Sequence, residues 1–394
     1  MLRKPGGCDQ AIAVRFTAFD RARTFIILLV LLYHSVANYI YFGDGGDRMR
    51  WLGFDLIALF TDSFFMACMF LISGLFVWDG LTRNGPLPFL RGHTWRLGVP
   101  YLLSVFVLVP IAYYPTFLHY HWPGTTDFNF FHYAWHMLTV GPWPSGPAWF
   151  LWVLLALDVV AAAVWLVAPR MIEALGSLIF SARNRPMSVF AVFLAISVAA
   201  YLPMHLAFGG GSWLDLSHFP LPIQTSRILL YTAYFFVGVG VGSVGRRAGI
   251  LAENCELARR WPVWLGAALV CFGAMLALVY IQHNWLTDSA SPPLVWNAFY
   301  GLAFAMFSAA MTFTVLAVFQ HFAEKKWRLL DALQPASYGI YLVHYMFIIW
   351  LQYTVYDSAF PAGVKAGIVF AVTLSGSWLL TVLLRKIPLV ARMI

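Results

Sequence analysis

Apolar residues gather into ten stretches separated by short polar segments: about 24–42, 54–78, 97–114, 148–167, 187–206, 228–245, 262–281, 294–320, 336–356 and 363–384. Each approaches the roughly 20 residues an α-helix needs to cross the hydrocarbon of a bilayer. A backbone in lipid must satisfy its own polar groups, and a single segment does so only as a helix. The pattern therefore predicts an all-α fold, a polytopic integral membrane bundle of about ten transmembrane helices. No linker interrupts it, and no inverted pair of broken helices of the transporter kind is visible. Residues 1–394 are expected to form a single membrane domain, with 1–22 a polar N-terminal segment and 385–394 a short tail.

Composition agrees with that pattern. The chain is 61% hydrophobic and only 11% charged, with a mean hydropathy of +0.74, whereas soluble domains carry about 25% charged residues. A formal net charge of +8 would suggest nucleic acid in a soluble protein. Here the cations follow the membrane instead, so no nucleic-acid partner is expected. With the N-terminus inside, 21 of the 25 Lys and Arg fall in inner segments, leaving Arg48, Arg50, Arg227 and Lys365 outside. That asymmetry predicts ten spans with both termini cytoplasmic. About twenty polar and basic residues precede the first apolar run and no small-residue cleavage site follows it, unlike a cleavable signal peptide. Cys8, Cys68, Cys255 and Cys271 all lie outside the expected outer loops, so no disulfide is expected.

Candidate chemistry begins in the first span, DRARTFIILLVLLYHSVANY, from Asp20 to Tyr39. Arg23 stands at its start and His34 within it. An offset of eleven is close to three helical turns, so both face one side, about 16 Å apart along the axis. Arg23 is either an ordinary juxtamembrane anchor or a phosphate grip. An ionisable group within a span is a functional candidate by default, which makes His34 a candidate general base. An unperturbed imidazole pKa of about 6.5 suits that work near neutral pH. In the second span Asp62 is placed to orient an imidazole, or to bond a neighbouring backbone. The basic segment FLRGHTWRLGVPYL supplies Arg91, His93 and Arg96 near the rim where Arg23 emerges. The ninth span reads SYGIYLVHYMF, placing Ser337, Tyr341 and His344 on one face. His344 lies about 12 Å in and rivals His34 as the base. The outer loops carry His119, His121, His132 and His136 with Trp122, Trp135 and Trp143, then Trp213, Asp215, His218 and Gln224. Such groups suit a sugar or polyol, although an interfacial aromatic belt collects the same residues. No metal-ligand spacing is evident, and no metal is expected.

Five stretches in order resemble the acyltransferase family 3 membrane proteins. They are the first span from Asp20 through His34, FFMACMFLISGLF, FLRGHTWRLGVPYL, AWFLWVLLALD at 148–158 and SYGIYLVHY at 337–345. The resemblance implies transfer of an acyl group from a cytoplasmic acyl-CoA donor (acetyl-CoA or succinyl-CoA) to a hydroxyl of an extracytoplasmic glycan. It implies a multi-pass protein of the bacterial inner membrane, with the lipid bilayer and a polysaccharide acceptor as partners. The family's essential histidine maps to His34 and its first-span arginine to Arg23. Its second basic motif, two arginines three apart, is half kept: His93 stands first, Arg96 second, and Arg91 is the available substitute. FLISGLF and PIQTSRILLY look more like members that modify periplasmic glucans, succinyl-transferring ones included. Direct attack by the acceptor and a covalent acyl-histidine relay both remain open. The alternatives are a transporter or flippase for a glycan or small solute, and a membrane scaffold without catalysis.

Overall fold

The computed structural model describes residues 7–42, 46–120, 129–214, 220–245, 250–251, 255–286 and 292–394, with side chains from residue 18 onward. Cys8, His121, Trp122, Asp215 and His218 therefore lie outside the described side chains. The architecture is an all-α bundle, and among the described residues eight helical segments are long and apolar enough to cross a membrane. The first is α1 (Gly7–Val36), apolar from Ala18 onward. The second is assembled from α2 (Leu52–Asp62), α3 (Phe65–Gly74) and α4 (Val77–Asn84). The third joins α5 (Pro86–His93), α6 (Val99–Leu103) and α7 (Val109–Tyr120) through two π-helical stretches, Thr94–Gly98 and Ser104–Leu108.

After α8 (Phe130–Thr139) come α9 (Trp149–Val167), α10 (Pro169–Ser181) and α11 (Pro186–Phe208). Two-residue strands, Trp213–Leu214 and Ile223–Gln224, then pair antiparallel with Trp213 opposite Gln224. The remaining helices are α12 (Ile228–Ser243), α13 (Glu256–Arg259), α14 (Trp261–Trp285), α15 (Leu294–His321), α16 (Arg328–Leu333), α17 (Ser337–Val355), α18 (Ala362–Leu384) and α19 (Pro388–Ala391). All ten expected stretches are helical, but two differ from simple crossing helices. The 16 residues of α12 rise only about 24 Å. Buried polar residues along α17, His344 and Gln352, interrupt its apolar character.

α15 is the hub, buried almost continuously from Ala303 to Phe319. Ala305, Ala309, Ala310 and Ala317 let neighbours approach it closely, as small residues do in membrane bundles. Another close approach joins α3 to α12, where a Cβ on Gly238 would sit 2.2 Å from the Leu71 carbonyl oxygen. Ion pairs, one half-buried and one fully buried, tie the two ends of the bundle. At one end Arg21 bonds Asp331 at 2.5 and 3.0 Å and the Ala323 carbonyl at 2.7 Å. At the other, Lys365 bonds Asp47 at 2.8 and 3.1 Å and the Tyr356 carbonyl at 2.7 Å.

Candidate active site

The apolar part of α1 contains neither Gly nor Pro, and its hydroxyls bond inward. Thr24 donates to the Asp20 carbonyl at 2.9 Å and Ser35 to the Leu31 carbonyl at 2.7 Å. The helix therefore runs unbroken from Arg23 to His34. It ends at Val36, earlier than the apolar stretch to residue 42, because Ala37–Tyr39 tighten into a 3₁₀ turn. Helix ends leave carbonyls unbonded, and here the Gln352 amide donates to the His34 carbonyl at 3.0 Å.

Arg23, Ile27, Val30 and His34 follow one another at steps of four, three and four, so they share a face. The first three form one wall of a cavity of about 390 Å³. Met66, Met69 and Ser73 of α3 add a second wall, and Ser337, Tyr338 and Tyr341 of α17 a third. His93, Arg96 and Leu97 enter the lining from the first π-helical stretch and the helix before it, opposite Asp158 of α9. π-Turns inside helices recur at functional sites, and this one carries Arg96. The Tyr338 hydroxyl donates to the Arg96 carbonyl at 2.5 Å and ties α17 to that stretch.

Charge is arranged at the cavity mouth. The Arg23 guanidinium sits 3.6 Å from Asp20, 3.5 Å from the Ile72 carbonyl and 4.4 Å above the Phe76 ring. His93 bonds the buried Asp158 at 2.7 Å through Nδ1. Both lining carboxylates thus already have a side-chain partner, while exposed Arg96 forms no ion pair among the described residues. Arg91 is exposed and absent from the lining, so the wall is made by His93 and Arg96.

The histidines lie one turn beyond the cavity floor: His34 beyond Val30, His344 beyond Tyr341. Their ring centroids are 5.5 Å apart, and Tyr345 packs edge-on to His34 at 5.2 Å. His344 is fully buried, whereas His34 keeps partial exposure. Nδ1 of His344 lies 2.6 Å from the Tyr341 carbonyl oxygen. A carbonyl only accepts, so Nδ1 carries the proton and, in the neutral ring, Nε2 presents a lone pair. That Nε2 is buried without a hydrogen-bond partner among the described residues.

Asp62 is committed elsewhere. Its carboxylate accepts from Arg227 at 2.6 Å, and its backbone carbonyl accepts from the same guanidinium at 2.8 Å. The helix breaks between Asp62 and Phe65, and Arg227 satisfies the carbonyl exposed there. Asp62 remains within electrostatic reach of Tyr33, the neighbour of His34. Sequence reasoning left the Asp158 carboxylate and the Arg227 partner unassigned. Both are ionisable groups next to or within apolar runs, the signal that singled out His34.

No curated protein and no solved structure matches the chain. A family model described as an acyltransferase domain matches residues 16–382. That span takes in every wall of the cavity and both histidines, and on it the chain belongs to acyltransferase family 3, the membrane acyltransferases.

Proposed function

We propose that the protein moves an acyl group from a cytoplasmic acyl-CoA to a hydroxyl of an extracytoplasmic glycan, with His34 as general base. The observation that supports this is the register along α1: Arg23 at the cavity mouth, Ile27 and Val30 along its wall, His34 one turn past its floor. A phosphate-bearing head would rest on Arg23 and Arg96, which present guanidinium geometry suited to phosphate. Its extended arm would run down the cavity toward the histidines. His34 takes the reacting role because it retains exposure; buried His344 acts as its neighbour. In the reaction the acceptor oxygen attacks the thioester carbonyl carbon while its proton passes to His34. The carbon–sulfur bond breaks, and the leaving thiolate takes that proton as free CoA. Ten spans, cytoplasmic termini and a place in a bacterial inner membrane complete this reading.

The test is release of free CoA from acetyl- or succinyl-CoA by purified protein when a glycan acceptor is added. His34→Ala is expected to lower the rate by about 10²–10⁴-fold, the usual contribution of a general base. Activity retained in His34→Ala but lost in His344→Ala would transfer the role to α17. Solute movement into liposomes without any acyl donor would instead favour transport.

A further inference from the structure

α3 separates two openings. Met66, Met69 and Ser73 line the large cavity already described. Leu71, and Leu75 just past the helix, fall on the opposite face and line an apolar groove of about 150 Å³. Buried Phe313 and Leu316 of α15 complete its floor. Its mouth lies between the end of α10 and the start of α11, where lining residues Leu178 and Val192 are 61% and 54% exposed. Ser188, also exposed, is the one polar residue among those that line it. The groove therefore opens sideways from the bundle, within a segment that the apolar pattern places in hydrocarbon. A water-sized group needs about 10–15 Å³ of such space, so the groove admits on the order of ten in file, and an apolar space of this kind stays free of water. In a bilayer the occupant of that shape and chemistry is an acyl chain.

The turn that joins α10 to α11 sets two cations at this mouth. It is tightly folded: the Arg183 N–H bonds the Phe180 carbonyl at 3.1 Å, the Arg185 N–H the Ala182 carbonyl at 2.8 Å, and the Ser188 N–H the Arg185 carbonyl at 3.0 Å. Ala182 and Ser188 both line the groove, so Arg183 and Arg185 stand beside its opening. Arg183 is steadied over the Phe180 ring at 4.3 Å. Both arginines are exposed, and neither forms an ion pair with a described residue. From Ala168 to Ser188 the sole acidic residue is Glu173, ten positions before Arg183. The charge pattern puts this turn on the cytoplasmic side, where the leaflet surface is anionic.

We infer that the groove between α10 and α11 is a lipid site: it holds one acyl chain of an anionic phospholipid, whose phosphate rests on Arg183 and Arg185. The apolar walls select the chain and the two guanidinium groups select the head, since guanidinium geometry matches phosphate. The site needs no movement of the helices, because its mouth is already open to the bilayer. It stands apart from the acyl-transfer reading above, which neither requires it nor is required by it. The two openings nonetheless share α3, so a bound chain packs against the helix whose other face walls the large cavity.

The experiment titrates the purified protein in one detergent with phosphatidylglycerol or phosphatidylcholine carrying the same chains, and follows thermal unfolding and the lipids retained in native mass spectrometry. An arginine beside an anionic lipid contributes about fivefold in affinity, so phosphatidylglycerol should bind about 25-fold more tightly than phosphatidylcholine. Arg183→Gln combined with Arg185→Gln should remove most of that preference. Ser188→Trp and Val192→Trp, each at an exposed position on the groove wall, should abolish retention of the lipid while leaving the lipid-free unfolding temperature unchanged. On the wild-type protein, phosphatidylglycerol with a photoreactive group in its chain should label the segments carrying Leu178 and Val192 ahead of the exposed faces of α14 and α18. Equal affinity for the two lipids, or a preference that survives loss of both arginines, would show an ordinary annular lipid only and overturn the head site. Labelling spread evenly over the lipid-facing helices would overturn the groove.

Discussion

Arg23 and Arg96 differ in what already holds them. Arg23 is steadied by Asp20, the Ile72 carbonyl and the Phe76 ring; Arg96 has its side chain free of ion pairs among the described residues. A charged hydrogen bond to a phosphate contributes about 1.5–3 kcal/mol, and each 1.4 kcal/mol is tenfold in affinity. Arg96→Ala is therefore expected to raise donor KM about 10–100-fold with a smaller effect on kcat, while Arg91→Ala, off the cavity wall, moves donor KM far less. Asp62 and Arg227 make a different prediction. Arg227→Gln leaves the half-buried Asp62 carboxylate without its partner, which costs about 1–3 kcal/mol. The loss should show as a lower melting temperature in detergent, and Asp62→Asn added to Arg227→Gln should recover part of it. Arg23, His34, Arg96 and His344 stand out as candidates in the sequence because ionisable groups within or against an apolar run are conspicuous. The pairing of Asp62 with Arg227 was hidden, since 165 residues separate them and only the fold brings their helices together. The same is true of His93 with Asp158, 65 residues apart.

At the scale of elements, hydropathy located every long helix and missed their irregularities. The break after Asp62 and the π-turn at Ser104–Leu108 sit inside apolar runs, and the π-turn at Thr94–Gly98 lies in the basic segment before one, where nothing in the charge pattern distinguishes a π-turn from a regular helix. Pro100 is the one local hint: it lacks the N–H that would bond the Arg96 carbonyl one turn back, and Tyr338 bonds that carbonyl instead. Yet one of these irregularities shapes the candidate site: the first π-turn carries Arg96, which lines the cavity. Their backbone polar groups find partners across the bundle, such as Trp143 Nε1 donating to the Val105 carbonyl at 3.1 Å. Helix contacts are testable at glycines. At Gly238 a Cβ would collide with the Leu71 carbonyl at 2.2 Å, so Gly238→Ala must push α3 and α12 apart. Overpacking of this kind costs about 1–3 kcal/mol. Gly266, within α14, has open space where a Cβ would stand, with nothing within 4 Å. Gly266→Ala is expected to be neutral or stabilising by about 0.5–1 kcal/mol, since alanine is the better helix former. Thermal unfolding of the two variants side by side measures the contrast.

For the whole molecule, the direction of transfer depends on which side the cavity mouth faces. The structure links that mouth to the chain ends. Arg385, just past α18, donates to the Pro335 carbonyl at 2.5 Å, and the neighbouring Gln334 lines the cavity. Arg21 on α1 is bonded to Asp331, also at this end. The C-terminus and the cavity mouth therefore share a face, and whichever compartment holds one holds the other. Charge favours the cytosol. Of the four cations assigned to the opposite side, Arg227 and Lys365 are buried against Asp62 and Asp47, so two of the apparent exceptions to the positive-inside rule present no free charge to the outer surface. A C-terminal green fluorescent protein fusion is expected to fluoresce and a C-terminal alkaline phosphatase fusion to be inactive. Phosphatase fused after Pro142, in the segment between α8 and α9, is expected to be active. Were the reporters reversed, Arg23 and Arg96 would face away from cytoplasmic CoA, and a cytosolic donor could not enter the cavity at its charged end. The topology measurement thus tests the direction of chemistry without assaying the chemistry.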